Sequence, residues 1–100
     1  MNFQLELRPQ VEADIADAAG WYDSRQRGLG TDFARAIRDS IEEILRDPFR
    51  PRIRDRARQI RWVLPRRFPY RIVFRAVQGT VIIYAVLHSA RRDRHWRRRI

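Results

Sequence analysis

The chain is 100 residues long with a formal net charge of +10, 44% hydrophobic residues and no cysteine. That length allows one domain with a single modest core. Without cysteine, disulfides and thiolate metal sites are excluded, and the composition is too apolar for a disordered chain.

In chain order, residues 2–8 alternate, with Phe3, Leu5 and Leu7 on one face and Gln4, Glu6 and Arg8 on the other, which predicts a half-buried strand. No basic, then apolar, leader is visible at the start, and no apolar run is long enough to span a bilayer. Pro9 suits the first turn of a helix, and Val11, Ile15, Ala18, Ala19 and Tyr22 recur at helical spacing. Trp21 and Tyr22 read as helix core and its rim. Gly28 and Gly30 interrupt the chain, and Thr31 or Asp32 is the expected cap of a second helix. Its stripe is Phe33, Ile37, Ile41, Ile44 and Leu45, and Asp47-Pro48 ends it. Two amphipathic helices with a short link predict an antiparallel hairpin.

Residues 48–58, rich in Pro and Arg, read as an irregular loop. Residues 60–66 alternate again, with Ile60, Trp62 and Leu64 on one face; residues 69–76 follow, with Tyr70, Ile72 and Phe74 opposite Arg71, Val73 and Arg75. Gln78-Gly79 signals a turn, and residues 80–87 are apolar on both faces, the pattern of a central strand. The basic tail, residues 91–100, reads as a helical turn or a frayed end. The expected fold is α+β over residues 1–100: an N-terminal strand, a helical hairpin, then a three-stranded antiparallel meander, with the hairpin on one face of a twisted sheet. The first strand pairs either at an edge or beside the last strand.

Charge is divided unevenly. Residues 1–50 hold seven Arg against ten acids, and residues 51–100 hold fifteen Arg against Asp55 and Asp93 alone. All the basic residues are arginine; this suits either an arginine-favouring codon composition or bidentate grip on phosphate and carboxylate. Chemistry requiring a lysine amine is excluded. Arg71 and Arg75 share a strand face, Arg61 is expected beside them, and Arg91 and Arg92 follow the last strand, where the chain can curl back over that face. With Tyr70 and Trp96, such a cluster would bind an acidic target, phosphates by guanidinium and bases by stacking. The competing reading is a solvated basic face. Trp62 reads as core, and Trp96 as either a plug over the open sheet or a stacking group. His88 and His95 have no companion ligands at metal spacing, and neither a phosphate loop nor a nucleophile elbow is present, so no metal or cofactor is expected.

The stretches Leu7-Arg8-Pro9 with Asp14-Ile15, Trp21-Tyr22, Gly28-Leu29-Gly30 with Phe33, Arg67 to Phe74, and Ala85-Val86-Leu87-His88 followed by Arg91-Arg92-Asp93 and Trp96 resemble the RelE/ParE superfamily of bacterial type II toxins. The resemblance spans nearly the whole chain and implies the same helical hairpin on an antiparallel sheet. It also implies a cytoplasmic toxin neutralised by a cognate antitoxin with an acidic or amphipathic segment. ParE-like members inhibit DNA gyrase; RelE-like members cut messenger RNA on the ribosome. The missing Lys, and Trp96 where the nuclease branch would use a Tyr, favour the gyrase inhibitor. Arg61, Arg71, Arg75, Arg91, Arg92 and Trp96 are then the expected target-binding residues. The endoribonuclease alternative would use Arg71 and Arg91 or Arg92, with His88 or Tyr70 in proton transfer. A non-toxic, nucleic-acid-binding domain of the same fold is the third reading.

Overall fold

The computed structural model describes residues 2–100. Strand β1 (Gln4–Leu7) leads into helices α1 (Pro9–Arg25) and α2 (Leu29–Arg46). Strands β2 (Ile53–Asp55), β3 (Ile60–Val63), β4 (Tyr70–Val77) and β5 (Thr80–His88) follow, and a short helix, α3 (Arg94–Arg97), closes the chain. The sheet order is β1-β5-β4-β3-β2. The first strand lies both at an edge and beside the last one, parallel to β5, while every other pairing is antiparallel.

The turn and helix signals act as their chemistry dictates. Pro9, whose missing N–H would have no helical partner anyway, starts α1. Gln78 and Gly79 both take positive φ (50° and 78°), the geometry that joins two twisted strands by a tight hairpin. One cap differs from expectation. Helix α2 begins at Leu29, ahead of Thr31 and Asp32, because Gly28 at φ 88° turns the chain into it directly. The helices cross closely at Gly30, whose N–H donates to Asp23 Oδ1 at 2.7 Å.

Residues 48–58 are not wholly irregular, since they contain the edge strand β2. Its pairing with β3 is short and shifts register between Ile53 and Asp55, too little ladder to leave a period-two signature in the sequence. β1 also departs from the half-buried expectation: Leu5 and Leu7 are 43% and 38% exposed. Helix α1 packs over β5, one strand further in, and leaves β1 uncovered.

The sheet carries a core on each face. Against the helices lie Val11, Phe33, Ile37, Ile41, Ile44, Ile72, Phe74, Val81, Ile83 and Val86. On the opposite face a smaller cluster joins Ile60, Val73, Tyr84, Ala85, Leu87 and Trp96, with Trp62 and Ile82 at its margin. β5 therefore buries both faces, as its unbroken apolar run predicts. A bulge makes this possible. Val73 pairs with Ala85 but Phe74 pairs with Ile83, so Tyr84 is an extra residue on β5, and Tyr84 and Ala85 both serve the second cluster.

A Cβ on Gly30 would lie 2.3 Å from the Ala19 carbonyl oxygen and 2.7 Å from the Asp23 carboxylate. Gly30→Ala is expected to cost about 1–3 kcal/mol by forcing the helices apart, read as a lower denaturant midpoint in chemical unfolding. Gly20→Ala, where the Cβ meets nothing within 4 Å, serves as the neutral or stabilising control.

Candidate functional site

On the face away from the helices, β4 projects Arg71 and Arg75 together, and the tail folds back over them. Arg71 is only 7% exposed. Its Nη1 donates to Asp93 Oδ1 at 2.8 Å, its Nη2 donates to the Arg91 carbonyl, and its guanidinium lies over the Trp62 ring at 4.7 Å. Arg54 approaches the same indole at 4.9 Å. The hydrogen bond from Arg71 holds the Asp93 carboxyl below the usual carboxylate range. Arg97 adds a longer ion pair to Asp93 at 3.8 Å. Trp96 is buried beside Trp62, ring centres 6.2 Å apart, so of the two readings of Trp96 the structure takes the plug. Its indole N–H and the Arg71 Nε are buried without a hydrogen-bond partner of good geometry.

Arg61 does not join this group. It pairs across the ladder with Phe74, which belongs to the helix-side core, and strand parity therefore turns Arg61 to the opposite face from Arg71 and Arg75. There it donates to the Phe49 carbonyl at 3.1 Å and to the Pro51 carbonyl, and its guanidinium lies 5.4 Å from the Phe49 ring. It ties down the loop after α2. Arg75 shares the Arg71 face, over Tyr84 at 5.6 Å, with its Nε buried and unpartnered.

A second tie lies at the outer edge of β5. β1 stops pairing at Ile83, so the backbone of Tyr84 and Val86 has no neighbouring strand there. Asp14 of α1 accepts the Val86 N–H at 2.9 Å, and Arg99 Nη1 donates to the Tyr84 carbonyl at 3.2 Å. Asp14 and Arg99 also form a two-pronged ion pair, with Arg99 Nη2 3.0 Å from Asp14 Oδ1. Sequence reasoning missed this pair. Asp14 stood off the apolar stripe of its helix, as a solvent-facing acid does, and nothing local links it to a residue 85 positions away.

The tail is thus held by Arg71, Trp96 and Arg99, and its other cations face outward. Among the described residues, Arg91, Arg92, Arg94 and Arg98 are exposed and make no ion pair. With His88, Ala90 and His95, the first three line a cleft of about 380 Å³. Partial burial and then the charges of Arg91, Arg94, Arg98 and Arg99 push His95 below its ordinary range, as expected inside a positive field. His88 is placed at the rim, its Nδ1 accepting the Ala90 N–H at 3.0 Å and its ring edge-on to Tyr70 at 5.3 Å. With Nδ1 an acceptor, a neutral His88 carries its proton on Nε2 and presents a donor outward. Burial raises the Tyr70 hydroxyl above its usual range. Such a surface can grip an anion by several guanidiniums at once.

A family model described as the ParE toxin of the type II toxin–antitoxin system parDE matches residues 5–93. Among solved structures, a chain of the chromosomal ParDE TA system from P. aeruginosa superposes with a TM-score of 0.75 at 14% identity, covering 86% of this chain and 95% of that one. That likeness is one of fold. No curated protein matches the chain.

Two outcomes follow from the ties. Asp14→Ala strands a largely buried guanidinium and uncaps Val86, and is expected to cost about 3 kcal/mol in urea unfolding, with Asp14→Ala/Arg99→Leu costing less than the sum of the single changes. Because the folded-state pKa of Asp93 is lowered, its contribution is complete above the unfolded carboxylate pKa, about 3.9, and is lost as pH falls through the folded value. Asp55, lowered chiefly by the Arg58 N–H, acts in the same sense. Thermal melts between about pH 6 and pH 2.5 should therefore show a shallower acid-side decline for Asp93→Asn, from a lower starting Tm.

Proposed function

The chain belongs to the family of ParE toxins of type II toxin–antitoxin systems, and on that premise we propose that it inhibits DNA gyrase through the outward face of its basic tail. The observation that carries this reading is the division of labour among the arginines. Arg71 and Arg99 are spent on internal bonds that pin the tail, while Arg91, Arg92, Arg94 and Arg98 are left exposed and unpaired on the pinned segment. A cation array held in place before binding loses little conformational entropy on contact and retains its full charge for an acidic target. Arg71, Arg75 and Trp96 then act as positioning residues for that array, and Arg61 as an anchor of the loop after α2.

The same geometry supports inhibition by binding over messenger cleavage. An endoribonuclease would need Arg71 free to meet a phosphate and a side chain ready to accept a proton. Here both Arg71 Nη groups are engaged in internal bonds. The partner of such a toxin is its cognate antitoxin. We place the protein in the cytoplasm, where gyrase acts; among the described residues no helix is long and apolar enough to cross a membrane.

Supercoiling by purified gyrase is the direct test. The parent protein should inhibit, the cognate antitoxin should relieve the inhibition, and the inhibition should weaken as salt rises from about 50 to 200 mM. Arg92→Glu/Arg94→Glu/Arg98→Glu should raise the concentration needed for half-inhibition by about tenfold or more while leaving the melting temperature nearly unchanged. A triple variant as potent as the parent would sink the tail as the contact surface. No inhibition by the parent would send the question to messenger cleavage on translating ribosomes.

A further inference from the structure

A second cleft, of about 440 Å³, opens between α1, the end of β5 and the tail. One face of α1 supplies Asp14, Asp17, Ala18 and Trp21; Tyr70, Val86, Leu87 and His88 come from the sheet, and Arg91 and Arg99 from the tail. We propose that this cleft binds an adenine nucleotide, a role independent of the toxin reading.

The backbone makes the first part of the case. Ser89 N–H bonds the Pro69 carbonyl toward β4, so strand parity turns the N–H and C=O groups of Val86 and His88 the other way, toward α1. On that edge Asp14 takes the Val86 N–H and the Arg91 N–H takes the His88 carbonyl. The Val86 carbonyl and the His88 N–H remain, an acceptor and a donor two residues apart on a rigid strand. Adenine presents the complementary pair on one edge, an exocyclic amino donor beside a ring-nitrogen acceptor. Both groups lack a protein partner, so a ligand that supplies both is favoured.

The side chains make the second part. Trp21 is 52% exposed, the most exposed tryptophan of the chain, and Arg25 one turn on stacks against it at 4.9 Å and restricts its swing. Tyr70 and His88 stand edge-on to each other at 5.3 Å on the opposite wall. Three aromatic walls above the apolar floor of Ala18 and Val86 suit a flat heterocycle. Asp17 is a carboxylate acceptor for ribose hydroxyls, and Arg91 a fork for the phosphate. An extended peptide could use the same two backbone groups. The free edge is too short for it, however, because Arg99 closes it at Tyr84 and the turn through Arg91 closes it at His88. Strand addition draws its affinity from a run of main-chain bonds.

The test is a titration of AMP into the folded, isotope-labelled protein, followed by amide and indole spectra. Saturable shifts at the Trp21 indole and the His88 amide are expected, and Trp21→Ala, at an exposed position, should weaken binding about tenfold or more. An adenylate trinucleotide is run beside AMP: tighter binding of the trinucleotide marks a strand end as the source, equal binding marks the free nucleotide, and either supports the site. Inorganic phosphate saturating the same signals at the same concentration would reduce the cleft to a plain anion site and overturn the proposal. So would a blocked extended tetrapeptide that shifts the His88 amide at lower concentration than AMP, an affinity unchanged in Trp21→Ala, or no saturation with AMP.

Discussion

The fold rests on how the outer edge of β5 is closed. β5 is central and buried on both faces, yet its pairing with the parallel strand β1 ends at Ile83, five residues before β5 itself ends at His88. Unpaired backbone groups at that point would carry a desolvation cost of about 1–3 kcal/mol each. One carboxylate from α1 and one guanidinium from the tail take the place of the missing strand, Asp14 on Val86 and Arg99 on Tyr84, and neutralise each other in doing so. The pair fastens first helix, last strand and tail in a single contact. It also falls beside the Tyr84 bulge, where the extra residue re-aims the strand.

Closure of that edge decides what the tail can do. With Arg99 fixed at one end and Arg71 holding Asp93 and the Arg91 carbonyl at the other, Trp96 is pressed into the second core. The segment has little apolar surface apart from that indole, so it would fray without the ties. Held, it becomes a rigid display of positive charge. The same contacts that pin the tail thus fix where its exposed arginines stand.

Arginine in this chain does two different jobs that a net charge of +10 does not distinguish. Arg71, Arg61 and Arg99 bond backbone carbonyls or buried carboxylates, and two of the three also lie over aromatic rings. A planar fork with several donors can do this where an ammonium on a flexible stem cannot. Arg92, Arg94 and Arg98 are solvated charges, interchangeable with one another in a way the first set is not. The basic half of the sequence therefore combines arginines bonded within the fold with arginines left to solvent.

Much of the architecture was legible in the sequence because it is written in local periods. The helical stripes, the apolar run of β5, the Gln78-Gly79 turn and the joint face of Arg71 and Arg75 all follow from the spacing of neighbours along the chain. The order of the motifs along the chain carried the resemblance to the family. Tertiary structure alone decided which strand faces meet, and it decided against local expectation in several places. Arg61 is turned to the helix side by its register with Phe74, β2 exists only as a short register-shifted edge, and Leu5 and Leu7 stay uncovered because α1 lies over β5. Trp96 was open between plug and platform until the Arg71–Asp93 bond folded the tail inward. Asp14 and Arg99 became partners across 85 positions for the same reason. Periodicity is a property of consecutive residues, whereas register, edge closure and ion pairing are set by how separate elements dock, and no stretch of sequence contains that information by itself.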